Sequence, residues 1–495
     1  MTPSEPAARA TTRSANLVPW IVLLTFPVLL WQFWVGFIAS DDAIYWEAAG
    51  ATLAHFPSIG HAHWALRYTL VLSLAASRAV LGDSLTALTV PGLLYAAGTL
   101  VVLAFWLRRA GGVATASVAL ALLVTNPLMI LWSSTATIDI VEIFFIFAAF
   151  ALYARIVASG PRFWPVFAVG VLMGLAYMSR ETSAFGVAAL GVLFLAGFGF
   201  ARRWYFAIAL GFFLSLGAEF GFFGVMTGNP LYRMLISSHA ENPMTRWIFA
   251  SGVRFLIHPA IDPVVMLLSN HYFALQAWIG VPLTVWLIRQ GRNGRLAAPL
   301  RQMTVILATL GLTWAVMAGG LWTKLALIPR YFILPSLSVS LLAGIALVHL
   351  ARTGQRRRAI ILGVLLVLAN LVALTLENRN FRFGEWALAD IAATTPGIIH
   401  TDPETFGRAA LPLQWRGVAG QVVDTTPVQG DLYLVNPVAP DQVVRPGLGW
   451  VVVATRAPAA TWLQSLLSRF AGHIPTPIWE KIGPRHPGVT LYRVG

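Results

Sequence analysis

The stretch that decides the fold is Leu17–Ile38, LVPWIVLLTFPVLLWQFWVGFI, followed at once by Ser40-Asp41-Asp42-Ala43-Ile44-Tyr45-Trp46-Glu47. The first part carries no charge and is long enough to span a hydrocarbon core of about 30 Å as a helix. The second places two adjacent carboxylates, with a third one turn later, where the chain leaves that core. Acids at a membrane exit are expensive unless solvent, a cation or a substrate meets them. Apolar runs of similar length recur along the first three quarters of the chain. Hydrophobic residues make up 57% and charged residues 11%, against roughly 25% charged in a soluble domain. The composition is that of a polytopic α-helical membrane protein.

The net charge of +14 is no sign of nucleic acid, because the arginines sit in short clusters between apolar runs. They act as topology determinants and anchors for anionic lipid head groups. Lysine occurs only at Lys324 and Lys481, and there is no cysteine. That excludes disulfides, thiolate metal sites and cysteine nucleophiles. Arg9 and Arg13 before Leu17–Ile38 read as the flank of an uncleaved signal anchor.

With those two arginines inside, the positive-inside rule fixes the remaining topology. Leu66–Leu81 is short and carries Arg67 and Arg78, so it is expected to lie at the interface rather than to span. Arg108-Arg109, Arg155 with Arg162, Arg202-Arg203, Arg289 with Arg292 and Arg295, and Arg352 with Arg356-Arg357-Arg358 then all fall inside. The expected spans are 17–38, 85–107, 113–131, 138–157, 163–179, 183–200, 204–227, 271–289, 302–322, 331–350 and 359–376, eleven in all. Residues 1–376 form the membrane domain on this reading. Residues 377–495 have no run long enough to span and alternate strand and helix signals, as in a small extracytoplasmic α/β domain. Expected strands are Gly397–His400, Asp431–Val435, Gly449–Ala454 and Val489–Val494, with a helix at Ala460–Phe470. No Gly-rich phosphate loop follows any strand, and the membrane part shows no internal repeat.

The same topology gathers the mixed-sign polar residues on the outer face: Asp41, Asp42, His61, His63, Arg67, Asp139, Arg180, Glu181, the loop 228–270, Lys324, Arg330 and Tyr331. Ser40, Asp41 and Asp42 suit a helix cap, but a cap needs one such residue and here are three. A general base with an orienting or cation-holding neighbour accounts for the excess. Asp139 and Glu142 stand at i and i+3 on one helix face, with Glu142 about one turn inside the membrane. They are either a cap and an ion-pair partner of Arg180, or an acid pair facing the first. Asp42, Asp139 and Glu142 are the hard oxygen ligands a divalent cation (Mg2+, Mn2+ or Zn2+) would find. His61 and His63 lack a third ligand and read better as hydrogen-bonding or snorkelling groups. Arg67 suits a phosphate clamp. Arg180, Lys324 and Arg330-Tyr331 break the charge rule on the outer face, which either snorkelling or anion binding explains. The loop 228–270, with His239, Glu241, Arg246, Arg254 and His258, is long enough to cover a site.

At these residues the chain resembles the membrane-embedded glycosyltransferases of the C superfamily, and among them the protein-mannosyltransferase and aminoarabinose-transferase branch. The resemblance covers roughly residues 17–350. It rests on Asp41-Asp42 with Tyr45, the short helices Asp42–Ala54 and Leu66–Leu81, Asp139, Arg180, and Arg330-Tyr331-Phe332-Ile333-Leu334-Pro335. His61-Ala62-His63-Trp64 departs from the His-Pro-Pro type of segment common there. The resemblance implies inverting transfer of a sugar from a polyprenyl-phosphate carrier to a hydroxyl on a lipid, glycan or protein. Asp41 would be the base with Asp42 or Asp139 in support, Arg67, Arg180, Lys324, Arg330 and Tyr331 would bind the phosphate, and His61, His63, Glu142, Glu181 and His258 would flank the acceptor. The rival class is a transporter or flippase for an anionic lipid-linked substrate. The arginine bias and lack of cysteine fit a bacterial cytoplasmic membrane.

Overall fold

The computed structural model describes residues 17–239, 258, 261–273, 275–321, 327–377, 382–439, 444–484 and 486–495. The first apolar run forms α1 (Val18–Gln32), with Pro19 in its first turn where a missing N–H costs nothing. The helix ends before the run does. Gly36 and Ala39 both turn left-handed, at φ +70° and +52°, and the chain enters the acidic segment as a tight, non-helical connection.

That segment then starts α2 (Asp41–Ala54), and a short 3-10 turn, His63–Leu66, leads into α3 (Tyr68–Leu81). Both short helices expected in the first outer loop are present. They bury Tyr45, Trp46, Leu70 and Leu74 against each other and against Ile138 and Val141. α4 (Leu85–Val124) is broken by a kink at Gly112, φ +80°, between the two spans expected at 85–107 and 113–131. The second limb is interrupted at Asn126, whose side chain accepts from the Leu128 and Met129 N–H groups and restarts the helix as α5 (Pro127–Ser133).

The chain continues through α6 (Ile138–Ser159), α7 (Phe163–Ser179), α8 (Ala184–Leu195), α9 (Tyr205–Thr227) and α10 (Tyr232–His239). After residues outside the described set come α11 (Asp262–Ser269), α12 (Val281–Arg292), α13 (Ala298–Gly320), α14 (Ile333–Arg352) and α15 (Arg356–Glu377). All eleven apolar runs carry helix. Among the described residues, six helices are long and apolar enough to cross a membrane (α4, α6, α9, α13, α14 and α15), and α1, α3, α7 and α8 are shorter apolar helices. The eighth run is a π-helical turn, Gln276–Gly280, leading into α12 rather than one continuous helix.

α14 is the axis of the bundle, buried on almost every face against α4, α12, α13 and α15. α7 and α9 pack backbone to backbone: a Cβ at Gly170 would collide with the Ile208 carbonyl oxygen, and one at Gly211 with that of Phe167. Without a hydrophobic drive between helices in lipid, such close approach supplies the packing.

Beyond the bundle stand α16 (Phe383–Ala392), β1 (Ile399–His400), α17 (Pro403–Trp415), β2 (Val422–Val423), β3 (Leu432–Val435), β4 (Val451–Arg456), α18 (Trp462–Leu467), α19 (Thr476–Ile482) and β5 (Val489–Arg493). The sheet order is β2-β1-β3-β5-β4, with β1 parallel to β2 and β3, and β5 antiparallel to β3 and β4. Three of the four expected strands are buried as read. The fourth, β4, is an edge strand with an exposed surface, because an apolar Val-Val-Val run does not reveal which sheet position it takes. The helix expected at Ala460–Phe470 is α18 followed by a 3-10 turn to His473.

One carboxylate ties this sheet domain to the short helices α2 and α3. Asp83 accepts from Trp46 Nε1 (3.0 Å), Arg78 (2.8 Å), Gln414 Nε2 (2.6 Å) and Trp415 Nε1 (3.0 Å). Beside it Trp415 stacks on Trp386 at 5.9 Å and meets Phe37 and Trp46 edge-on. Asp83→Ala removes an acceptor shared by two elements, so it is expected to cost about 1–3 kcal/mol and to speed proteolytic release of the C-terminal region. Unchanged digestion kinetics would show that the aromatic contact suffices.

Candidate active site

Asp42 is fully buried. Its carboxylate accepts from the N–H groups of Ile38 (2.6 Å), Ser40 (2.8 Å) and Ala43 (3.1 Å). The first two flank Ala39, so the carboxylate holds a left-handed alanine in a conformation that costs about 1–2 kcal/mol. Burial pushes the Asp42 carboxyl up to about 6, against the pull of those donors. Arg382, on the approach to α16, donates from Nε to the Ile38 carbonyl at 2.6 Å and closes the turn from the other side. Asp42 is therefore the brace of this turn.

Asp41 points the other way. Its side chain is 18% exposed and meets Arg330 Nη1 at 3.3 Å. Of the adjacent pair, only Asp41 is open to an incoming group and unencumbered by backbone donors.

Around it runs a chain of alternating charges. Arg330 and Arg180 both stand over the Tyr331 ring, at 5.9 and 4.5 Å. Arg180 bonds Asp139 directly and lies 3.9 Å from Glu142, which also accepts from Thr182 (2.7 Å) and Ser183 (2.8 Å). Arg67 donates from Nη1 to the Tyr45 hydroxyl at 2.6 Å and lies 4.0 Å from Glu181. Glu181 in turn accepts from Arg233 Nε at 3.2 Å and from Ser237 at 3.2 Å, and Arg233 bonds Glu219. Two guanidinium atoms in this wall, Arg67 Nε and Arg330 Nε, are buried without a hydrogen-bond partner, as is His63 Nδ1. A buried donor left unpaired costs about 1–3 kcal/mol, so Arg67 Nε and Arg330 Nε are hydrogen-bonding capacity that the fold leaves unused.

The structure thus brings together Asp41, Arg67, Asp139, Glu142, Arg180, Glu181, Arg330 and Tyr331 from five separate parts of the chain. It also corrects three readings. Asp139 and Glu142 do not form an acid pair open to a ligand, because Arg180 and the Thr182 and Ser183 hydroxyls occupy them. Arg180 is spent on those acids rather than left for a phosphate. Asp42, Asp139 and Glu142 do not converge as metal ligands: among the described residues no group of three or more His, Cys, Asp or Glu is placed to hold a metal ion. The described residues offer no carboxylate or imidazole cluster that fits a divalent cation, and no step below uses one.

His63 is half-buried, its ring tilted 31° against that of Trp64 with centroids 3.8 Å apart, and burial beside Arg67 lowers its imidazole to about 4. It is neutral at pH 7. The unfolded chain takes up a proton near pH 6.5 that the folded chain refuses until about 4, so stability falls across that window by roughly 2 kcal/mol after allowing for partial exposure. His63→Gln should flatten this slope in thermal unfolding between pH 4 and 6.5; an unchanged slope would place the acid sensitivity elsewhere. His61 is exposed. His258 is exposed too, and its N–H is held by Asp262 at 2.9 Å at the start of α11. Lys324, Glu241, Arg246, Arg254 and the side chain of His239 lie outside the described residues. Arg233, Glu219 and Arg382 are absent from the sequence reading. Glu219, an acid within an expected span, was the signal that a buried cation must exist to meet it.

The architecture is that of a polytopic membrane protein carrying a charged cluster and a small sheet domain packed against the segment from Phe37 to Asp83. Residues 70–218 match the family model described as dolichyl-phosphate-mannose-protein mannosyltransferase. ArnT from Cupriavidus metallidurans in the apo state is similar over 97% of this chain and 98% of that chain, with a TM-score of 0.55 and 15% identity. The same enzyme bound to undecaprenyl phosphate gives 0.53 and 14%, over 96% and 97%. The Archaeoglobus fulgidus oligosaccharyltransferase in complex with Zn and sulfate gives 0.50 and 13%, over 81% of this chain and 62% of that one, so the chain spans less than two thirds of it. No curated protein matches. The likeness to ArnT runs from end to end and establishes a shared fold, in line with the resemblance read from the sequence.

Proposed function

We propose that this protein is an inverting glycosyltransferase. It moves a sugar from a polyprenyl-phosphate carrier to a hydroxyl acceptor at the outer face of a bacterial cytoplasmic membrane, with residues 377–495 forming an extracytoplasmic domain beside the site. The observation that carries this is Asp41: a half-open carboxylate set against a guanidinium wall in which Arg67 Nε and Arg330 Nε lack partners. The fold supports it, since ArnT of the same architecture has been crystallised with undecaprenyl phosphate.

Asp41 accepts the acceptor's hydroxyl proton as that oxygen forms its bond to the anomeric carbon. The bond from carbon to phosphate oxygen breaks on the opposite side and its electron pair leaves with the phosphate. The phosphate passes from one negative charge to two, so preplaced donors gain most in the transition state. Arg330 turns from Asp41 to the phosphate as the donor enters, which both frees the base and binds the leaving group. Arg67 contributes its free Nε from the other side. Arg180 positions Tyr331 and Asp139 without touching substrate. An apolar groove of about 460 Å3 between α1 and α4, lined by Phe26, Leu30, Trp31, Trp34 and Leu100, takes the isoprenoid chain.

The test is binding of long-chain polyprenyl phosphate to the purified protein, read by thermal unfolding. The wild type is expected to be stabilised, and Arg330→Gln to need roughly tenfold more lipid, since a charge-assisted bond is worth about 1.5–3 kcal/mol. Equal stabilisation by the corresponding uncharged polyprenol would remove phosphate recognition from the account.

A further inference from the structure

Between β4 and β5 the sheet domain carries a short helical unit: α18 (Trp462–Leu467), the 3-10 turn Ser468–His473 and α19 (Thr476–Ile482). Both helices pack against α15, and Trp462 at the start of the unit rests on the hydrophobic core of the bundle. α15 is one of the helices long and apolar enough to cross a membrane. Along it Ile360, Val364, Leu368 and Val372, four positions apart, are all exposed and form one open apolar ridge. On a spanning helix such a ridge faces lipid.

The helical unit has an exposed apolar face of its own. Leu466, Phe470 and Ile478 are each 55–63% exposed. Leu466 and Phe470 stand four residues apart, and Ile478 comes from the helix that packs beside α18. Arg469 and Lys481 are exposed on the same elements, with Glu480 as the one carboxylate between residues 460 and 484. Large apolar side chains left open on a surface helix mark a contact, and cations beside them are the composition of a helix that lies in a membrane interface.

We propose that this unit is a membrane-docking face. Leu466, Phe470 and Ile478 enter the boundary between head groups and acyl chains at the end of α15 that leads into the sheet domain, and Arg469 and Lys481 reach the phosphates of anionic lipids there. The occupant is lipid rather than another protein because the unit is seated on a membrane helix whose own open ridge faces lipid, and because its cations outnumber its carboxylates. Docking holds the sheet domain at the membrane surface from one side while Asp83 ties it to α2 and α3 from another. The face shares no residue with the proposed transferase site and does not depend on that reading.

The chain has no cysteine, so a single introduced cysteine carries the only label. Leu466→Cys, Phe470→Cys and Ile478→Cys are each labelled with a nitroxide in the full chain and reconstituted in vesicles of dioleoylphosphatidylcholine with dioleoylphosphatidylglycerol. Collisions with oxygen, which concentrates in the bilayer, and with a water-soluble nickel chelate give the depth of each label. Val364→Cys on α15 and Gln429→Cys, exposed in the turn before β3, are the lipid and water references. All three labels are expected about 5–10 Å into the boundary, with nickel collisions well below those at Gln429. Arg469→Gln with Lys481→Gln, or vesicles of dioleoylphosphatidylcholine alone, should move all three toward water. The positions are exposed and independent, so one variant that folds poorly leaves two to decide. Nickel collisions equal to those at Gln429 would overturn the proposal. Shielding from both reagents would overturn it too, as the sign of a protein partner or a second copy on this face. An unchanged depth without phosphatidylglycerol would overturn the part played by anionic lipid.

Discussion

Asp41→Asn is expected to lower sugar transfer by about 10²–10⁴-fold with little change in Tm, whereas Asp42→Asn is expected to weaken the fold first. The two residues are neighbours in sequence with opposite surroundings. Asp41 is open on one side and held by a single ion pair at 3.3 Å. Asp42 is closed in by three backbone donors. Asparagine offers one acceptor oxygen where the turn uses two, so at least one buried N–H loses its partner, at about 1–3 kcal/mol. The pH dependence separates the two further. The Asp42 carboxyl titrates near 6 in the folded chain and near 3.8 when exposed. The folded state holds the proton longer, so its stabilising effect is complete below about pH 4 and is lost as pH rises through 6. Asp42→Asn should abolish that slope and Asp41→Asn should preserve it. A variant pair in which Asp42→Asn lost turnover at unchanged Tm would exchange the two roles.

The second large effect concerns the buried pair Arg180 and Asp139, both less than 10% exposed and in direct contact. Removing one partner strands a charge in the bundle, and Arg180→Leu or Asp139→Leu is each expected to cost about 3–5 kcal/mol. The double replacement should cost clearly less than the sum, because it leaves neither charge unpaired. Some loss remains, since Arg180 also covers Tyr331 at 4.5 Å and approaches Glu142 at 3.9 Å. A double-mutant cycle on detergent-solubilised protein reads the coupling. Additivity within about 0.5 kcal/mol would mean that the pair is not energetically linked, and that Arg180 is free for a ligand after all.

Much of the fold was legible because lipid imposes a simple code. A predominantly apolar run the length of a bilayer core forms helix, and every expected run carries some. What the code omits is where a helix breaks. Gly112 kinks α4, and Asn126 restarts a helix through its own side-chain cap. Both are local backbone events inside uniformly apolar sequence. In the sheet domain, β4 looked like a core strand because its valines carry no mark of an edge position.

The site was legible as a set and not as a set of pairs. Charges placed against the topology rule, such as Arg180 and Arg330, are among those that the structure gathers in one cluster. Which carboxylate each cation meets depends on helix rotation, which sequence spacing leaves open. Hence the sequence left Arg180 open between an ion pair and an anion, and the fold sets it against Asp139. Arg233 went unread because its partner Glu219 sits in the preceding helix, 14 positions earlier.

The central claim is that a sugar leaves its carrier at Asp41. The direct measurement is turnover of a doubly labelled polyprenyl-phosphate sugar by protein reconstituted in vesicles, with the carrier and the sugar followed separately. Free polyprenyl phosphate should accumulate together with glycosylated acceptor of inverted anomeric configuration, and neither should form with Asp41→Asn. Intact donor crossing the bilayer without release of either label, at equal rates in wild type and Asp41→Asn, would contradict the account and make the protein a carrier of that lipid instead.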